Sequence, residues 1–265
     1  MVRFSLGNDN ASHVVLIPFI SAGLVYLERK KIFREVSFDY PFAGALFAIS
    51  AATYILTLRS VASWTSADIL ASYMLALVFL WISGFVLFFG REACKNGRFS
   101  LLFLFLAVPL PDALLNHAIY FLQKGSADMA EMIFDLVGVP ALREGFVFHL
   151  AHLNIEVAKE CSGIRSSLAL LILALIVGHI FLRTFWKQAV LLIVGVLVMI
   201  VKNGIRIATL TILAQYVDPD FLYGRLHHEG GVVFFLLGLL LMLPVLWFLQ
   251  RGDQPVGMVT NSPTP

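Results

Sequence analysis

The chain is 265 residues long, 59% apolar, 13% aromatic and only 14% charged, with a mean hydropathy of +0.87. Soluble domains are about a quarter charged, so this balance excludes a soluble globular fold and leaves an integral membrane protein. The net charge of +2, from 19 Lys and Arg against 17 Asp and Glu, offers no electrostatic footprint for nucleic acid. Two cysteines, Cys94 and Cys161, form neither a disulfide framework nor a C-x-x-C pair, so any chemistry they carry is done singly.

A bilayer core takes roughly 20 apolar residues as a helix. Seven runs are predicted as spans: Ser12–Leu27, Pro41–Leu58, Ile69–Gly90, Phe99–Leu110, Ser166–Leu182, Ala189–Val201 with a helical continuation towards Val217, and Gly231–Leu249. The first, fourth and sixth are short. Arg3 ahead of the first run is reminiscent of a signal peptide, but Glu28-Arg29-Lys30-Lys31 follows directly and there is no A-x-A type site, so it reads as a retained span. Residues 1–250 are expected to form one integral membrane domain, and residues 251–265 a short, disordered cytoplasmic tail.

Lys and Arg in short loops set orientation, because the cytoplasmic side collects them. Arg29, Lys30, Lys31 and Arg34 after the first span, Arg91, Lys95 and Arg98 after the third, and Arg183 and Lys187 after the fifth assign those loops to the cytoplasm. The loop bounded by Arg59 and Asp68, and the net acidic stretch from Pro111 to Glu160, then face outward. In that outer segment, 111–160, the prolines at 109 and 111 end a helix. Asp112 to Val137 follows with apolar residues at helical spacing and Gly125 as an interruption, which predicts an amphipathic helix near the interface. From Phe146 the period changes to two, with Phe146, Phe148 and Leu150, then Leu153, Ile155 and Val157, so a small β-hairpin is predicted before Lys159-Glu160-Cys161.

Cys161 stands at the outer start of an apolar helix, where free backbone N–H groups and the helix dipole favour a thiolate. Arg165, four residues on, would share its helix face and favour the ionised sulfur further. The plain alternative is a small packing cysteine beside an interfacial arginine. Arg206 interrupts an apolar stretch that starts at Ala189 and resumes at Ile207, and a charge at such a depth is a functional candidate. About 18 residues at 1.5 Å each carry it from the inner side to the outer boundary, the side of Cys161. Snorkelling is the alternative for Arg206, and Lys202 reads as a snorkelling residue.

His227, His228 and Glu229 fall in the last outer loop and put a base on the same face. Taken alone, that cluster fits a metal site or a solvated loop better than catalysis. Three sequence-distant groups, a thiol, a guanidinium and an imidazole, are nevertheless assigned to one membrane face by a charge count that did not use them. His117, His149, His152 and His179 take bland readings, and a zinc site from His149, His152 and His227 is the weaker alternative, so no metal is expected.

These residues resemble the exosortase/archaeosortase family of membrane cysteine transpeptidases. Glu160-Cys161-Ser162-Gly163-Ile164-Arg165-Ser166 is similar to the family's cysteine motif, Asn203-Gly204-Ile205-Arg206 to its N-x-x-R motif, and His227 with Gly231 to its final H-x-x-x-G, in the same order and spacing. The prolines at 109 and 111 and the run Gly138-Val139-Pro140 to Arg143-Glu144-Gly145 are similar too, and the resemblance covers about Phe99 to Phe248. It implies Cys161 as nucleophile, Arg206 as an oxyanion or substrate-orienting cation, and His227 as general acid/base with His228 as its rival. Glu160, Arg165 and Asn203 would support them. The family is described with eight spans; seven plus an amphipathic segment are counted here. An eighth from Asn203 to Val217 would part His227 from Cys161. Archaeal members carry arginine where bacterial ones carry histidine; Arg225 lies two residues before His227, whose presence points to a bacterial owner.

The resemblance further implies a substrate: the C-terminal sorting tail of an exported protein, with a Pro-Glu-Pro-like signature, a transmembrane helix and a basic cluster. The tail would be cleaved through a thioester and the protein passed to a surface lipid or glycan, or to water, at the extracytoplasmic face of the cell's inner membrane. No cofactor is implied. A membrane thiol oxidoreductase is the enzymatic alternative, opposed by the assignment of Cys94 and Cys161 to opposite faces. A transporter or assembly scaffold is the non-enzymatic one, unsupported by any internal repeat.

Overall fold

The computed structural model describes residues 14–151, 153–158, 164–222 and 231–251. The chain forms two compact units, Met1–His117 and Ala118–Pro265.

The first unit opens with α1 (Leu16–Leu27) and α2 (Arg29–Ile32), the latter built from the basic residues expected as a loop. Next come α3 (Tyr40–Ser60), α4 (Ser66–Asn96), and α5 (Arg98–Phe103), which tightens into a 3-10 turn over Leu104–Ala107. Asp39 caps α3, its Oδ1 accepting from Phe42 N at 3.0 Å with Pro41 in the first turn. Thr65 caps α4 in the same way, accepting from Asp68 N at 3.1 Å. Helices in lipid gain little from burying apolar surface against each other, so hydrogen bonds and close packing join them. Ser50 Oγ donates to Ala76 O at 2.7 Å and Ser83 Oγ to Ala43 O at 2.9 Å, tying α3 to α4, while Ser21 Oγ donates to Ser100 O at 2.7 Å and ties α1 to α5. Ala43, Val78, Ile82, Val86, Leu101 and Leu104 form the buried cluster between them.

The third predicted span was expected to end at Gly90, and there α4 breaks, with Gly90 at φ +83°. Ser37 N donates to Phe89 O at 3.4 Å, and a Cβ built on Gly90 would stand 2.2 Å from Ser37 O. Glycine is required twice over, by the left-handed backbone and by the approach of the connecting segment at Ser37.

α6 (Asp112–Val137) begins in the first unit and continues into the second. It is one unbroken helix, so the expected interruption at Gly125 is absent. A Cβ at Gly125 would come within 3.0 Å of Ile200, so the glycine makes room for a neighbour and does not break the helix. Its buried positions, Ile119, Leu122, Gln123, Ser126, Ala127, Ala130 and Phe134, recur at helical spacing as an amphipathic helix requires.

The rest of the second unit is a small sheet followed by α7 (Ile164–Phe181), α8 (Phe185–Tyr216), a 3-10 turn over Pro219–Leu222 and α9 (Gly231–Gln250). α8 runs through Lys202–Arg206 without a break, and this favours the expected continuation of the sixth span over a separate eighth. Near its start, Lys187 Nζ donates to Leu249 O at 2.8 Å, a cation at the negative end of α9.

The expected hairpin is present as β2 (Val147–His149) and β3 (Asn154–Glu156), and β1 (Leu142–Glu144) adds a third antiparallel strand with Arg143 opposite Phe148 and Phe148 opposite Ile155. The β1–β2 turn is Gly145-Phe146 with Gly145 at φ +64°, the glycine-first form suited to a two-residue hairpin.

Among the described residues four helices are long and apolar enough to cross a membrane, α3, α4, α8 and α9, or five if α5 with its 3-10 turn and α6 count as one broken span. Leu16–Leu27 and Ser166–Phe181 are shorter apolar helices. Helix length therefore supports a polytopic helical membrane protein and does not by itself reach the expected seven spans.

Gly90→Ala should lower the stability of the detergent-solubilised protein by more than the roughly 1–3 kcal/mol of backbone strain alone, because the Ser37 carbonyl must also move. A thermal-unfolding series with Gly84→Ala as control, where a Cβ meets nothing within 4 Å, checks this.

Candidate active site

The site is best built from α8, which carries Lys202, Asn203, Gly204 and Arg206 in succession. Asn203 is 2% exposed, and its Nδ2 donates to Ser126 Oγ of α6 at 2.9 Å. At Gly204 a Cβ would lie 2.5 Å from Met129 Cγ and 3.2 Å from Ser126 O, so the two helices meet at van der Waals contact here. Ser126 and Ala130 on one helix and Gly204 and Ala208 on the other supply the small residues, four apart, that such an approach needs.

Immediately beyond Arg206, Ile207 and Ala208 bury in a cluster with Ala127, Ala130 and Phe134 of α6, Val139, Phe148 of β2 and Val157. Phe134 and Phe148 meet edge to face at 5.3 Å. Val157, which ends the sheet four residues before Cys161, is held at both backbone groups: its N–H donates to Phe146 O at 2.8 Å, and its carbonyl accepts from the buried Gln123 Nε2.

One turn before Arg206, Lys202 does not reach water as a snorkelling lysine would. It is 1% exposed, and its Nζ donates to Ser166 Oγ in the first turn of α7. α9 closes over its stem, since a Cβ on Gly238 would lie 3.5 Å from Lys202 Cδ and 3.4 Å from Leu170.

The sheet is clamped to α6 by Arg143, whose Nη1 donates to Asp128 at 2.8 Å and to Glu131 at 2.7 Å, with its guanidinium 5.7 Å from the Phe148 ring centre. Burial, the largest influence, draws the Arg143 pKa down, but the two carboxylates together carry it above the ordinary value. Arg143 stays charged at any working pH, so only protonation of its carboxylates would loosen the clamp.

Of the residues expected to act, Arg206 and Asn203 are in place on α8, half-buried and buried respectively. Arg165 lies in the first turn of α7, its side chain outside the described residues. Glu160, Cys161, His227 and His228 are also outside them, as are Arg225, Glu229 and His152. His149 is engaged within the sheet, its Nδ1 3.0 Å from Asn154 Oδ1 and its Nε2 3.6 Å from Glu144. Among the described residues, no group of three or more His, Cys, Asp or Glu could hold a metal ion.

Sequence reasoning missed Gln123, Ser126, Ser166 and Gly204, and mistook Lys202. The paired small residues, four apart on α6 and on α8, were the available signal for the Gly204 contact. Ser166 and Lys202 also stand equally far in sequence from Thr184, as partners across a helical hairpin must.

Gly204→Ala should destabilise the protein by roughly 1–3 kcal/mol through overpacking. Adding Met129→Ala should return part of that loss, and denaturation of the purified single and double variants reads both.

The family model for transmembrane exosortases matches residues 5–244. No curated protein and no solved structure matches the chain.

Proposed function

The chain belongs to the transmembrane exosortase family, a family of membrane transpeptidases, and on that premise we propose that it cleaves the C-terminal sorting tail of exported proteins through a thioester on Cys161. The observation that supports this reading most is how the segment holding Cys161 is bracketed against α8. Val157, four residues before the cysteine, shares a buried cluster with Ile207 and Ala208, while Ser166, five residues after it, is bonded to Lys202. Arg206 lies between those two attachments. A short connecting segment attached to α8 on both sides of Arg206 is consistent with a thiol that works with that guanidinium.

In this mechanism the Cys161 thiolate attacks the scissile carbonyl carbon, and the π electrons move to oxygen. The Arg206 guanidinium holds that oxyanion in a setting half removed from water, where the interaction is stronger than in bulk solvent. The intermediate collapses to a thioester as the C–N bond breaks, and His227, or His228 beside it, protonates the departing amine. An amine or hydroxyl on a surface lipid or glycan, or water, then attacks the thioester, gives its proton to the now neutral histidine, and displaces Cys161 as a thiolate. Glu160 and Arg165 flank the nucleophile, and Asn203, through Ser126, fixes the helix that presents Arg206. No cofactor is needed for any step.

The substrate's own helix would hold the scissile bond at the outer face of the inner membrane, with the tail's basic end kept inside. The acidic Asp128, Glu131 and Asp135 of α6 accord with the outer assignment of that segment.

A reporter ending in a Pro-Glu-Pro-type tail, co-expressed with the protein, tests the reading by intact mass. Wild type should remove the tail and leave either a free carboxylate or an added mass that identifies the acceptor. Cys161→Ala should leave the tail intact, and Arg206→Ala should lower turnover by roughly a hundredfold to a thousandfold, as for loss of an oxyanion donor. Equal processing by wild type and Cys161→Ala would sink the mechanism.

A further inference from the structure

We infer that Lys202 and Ser166 form a register pin between α7 and α8, which makes Lys202 a positioning residue for the Cys161 and Arg206 pair; this rests on the transpeptidase reading above. A lysine ammonium that is 1% exposed on a membrane-spanning helix is costly to keep out of water. No ion pair among the described residues includes it, and its acceptor is a neutral hydroxyl. An apolar side chain would pack beneath Gly238 and Leu170 without that cost. What the lysine adds is a directed bond from one helix to the next.

That bond lies where it controls the geometry of the site. α7 and α8 are consecutive helices joined by a short turn before Thr184, the residue preceding the first turn of α8, and Ser166 and Lys202 are equidistant from it. Antiparallel partners advance alike at 1.5 Å per residue, so each step along α8 past Lys202 matches a step back along α7 from Ser166. One turn past Lys202, on the same face, is Arg206; Cys161 precedes Ser166 by five residues in the sequence. A one-residue slip would move Arg206 by about 1.5 Å along the axis and about 100° around it. Misplacement on the order of 1 Å costs up to about a hundredfold in rate.

α9 removes the alternative of a lysine free to swing. The close approach at Gly238 leaves the stem little room, and the headgroup therefore holds one direction, towards the first turn of α7. The neighbouring Asn203 bond to Ser126 faces a different helix, α6, and bears on the α6–α8 spacing.

The test uses the full-length protein in membranes with the tailed reporter. Lys202→Met and Ser166→Ala should each lower kcat by roughly tenfold to a hundredfold with KM for the reporter close to wild type. The double variant should be no worse than the more damaged single one, because both remove the same bond. Lys202→Gln, which keeps a donor and drops the charge, should restore most of the lost turnover. A second readout needs no activity: in a Cys94→Ala background carrying Arg206→Cys, a short bis-methanethiosulfonate reagent should join that position to Cys161. The yield should fall on adding Lys202→Met and recover with Lys202→Gln.

Unchanged kcat and crosslinking in Lys202→Met, or additive losses in the double variant, would overturn the pin. If Lys202→Met does not accumulate, Ser166→Ala decides the same question alone. If wild type processes no reporter, the transpeptidase reading fails, and crosslinking still decides whether Lys202 sets the register.

Discussion

The contact between α6 and α8 at Gly204 is the constraint on which the second unit depends. Helices surrounded by lipid are not driven together by water, so they hold only where surfaces fit closely enough for dispersion and hydrogen bonds to act. The bare glycine lets Met129 and the Ser126 carbonyl approach, and that proximity lets Asn203 reach the Ser126 hydroxyl. It also brings Ile207 and Ala208 into the cluster that receives Phe148 and Val157 from the sheet. The sheet is too small to stand alone and draws its stability from being laid on this helix pair and clamped there by Arg143.

The two units handle buried polarity differently. In the first, Ser21, Ser50 and Ser83 hydroxyls donate to backbone carbonyls of neighbouring helices. These are low-cost bonds, each worth about 1 kcal/mol net, and they account for helix association. In the second, serines and a threonine are buried as well, but they are joined by an asparagine, a glutamine and two lysines, which cost more to remove from water and lose more rotamer freedom. Each bonds a different segment: Asn203 to α6, Gln123 to the end of the sheet, Lys202 to the first turn of α7 and Lys187 to the end of α9. Association alone would be served by serines. Two of the more expensive residues, Lys202 and Asn203, stand within one turn of Arg206 on α8.

Composition and hydropathy made the membrane class legible at once, and proline, glycine and charge boundaries placed most helices within a few residues. The break at Gly90 and the long course of α8 past Arg206 were readable because both leave marks in a one-dimensional pattern, a glycine before a basic run and an apolar period that resumes after a charge. Alternation from Phe146 to Val157 gave away two strands. β1 escaped because Leu142-Arg143-Glu144 carries no alternation, its central arginine being turned inward to meet Asp128 and Glu131. Gly125 was misread because a glycine chosen for a neighbour's bulk looks, in sequence, the same as one chosen for its backbone. Lys202 was misread for a related reason: burial of its headgroup depends on Ser166 and on α9, both remote in the chain. Arg206 and Asn203 were singled out by depth and motif, whereas the bond from Asn203 to Ser126 depends on a pairing between helices that no single stretch of sequence displays.

The break in α4 has a consequence for the membrane itself. A straight helix of 31 residues would measure roughly 46 Å, well beyond a hydrocarbon core of about 30 Å. Turning at Gly90 leaves about 36 Å for the span and directs Arg91 and Lys95 away from the axis, with Arg91 resting 5.1 Å from the Phe42 ring. Hydrophobic mismatch is thereby reduced at one fixed joint, the charged end leaving the span axis where the hydrocarbon core ends.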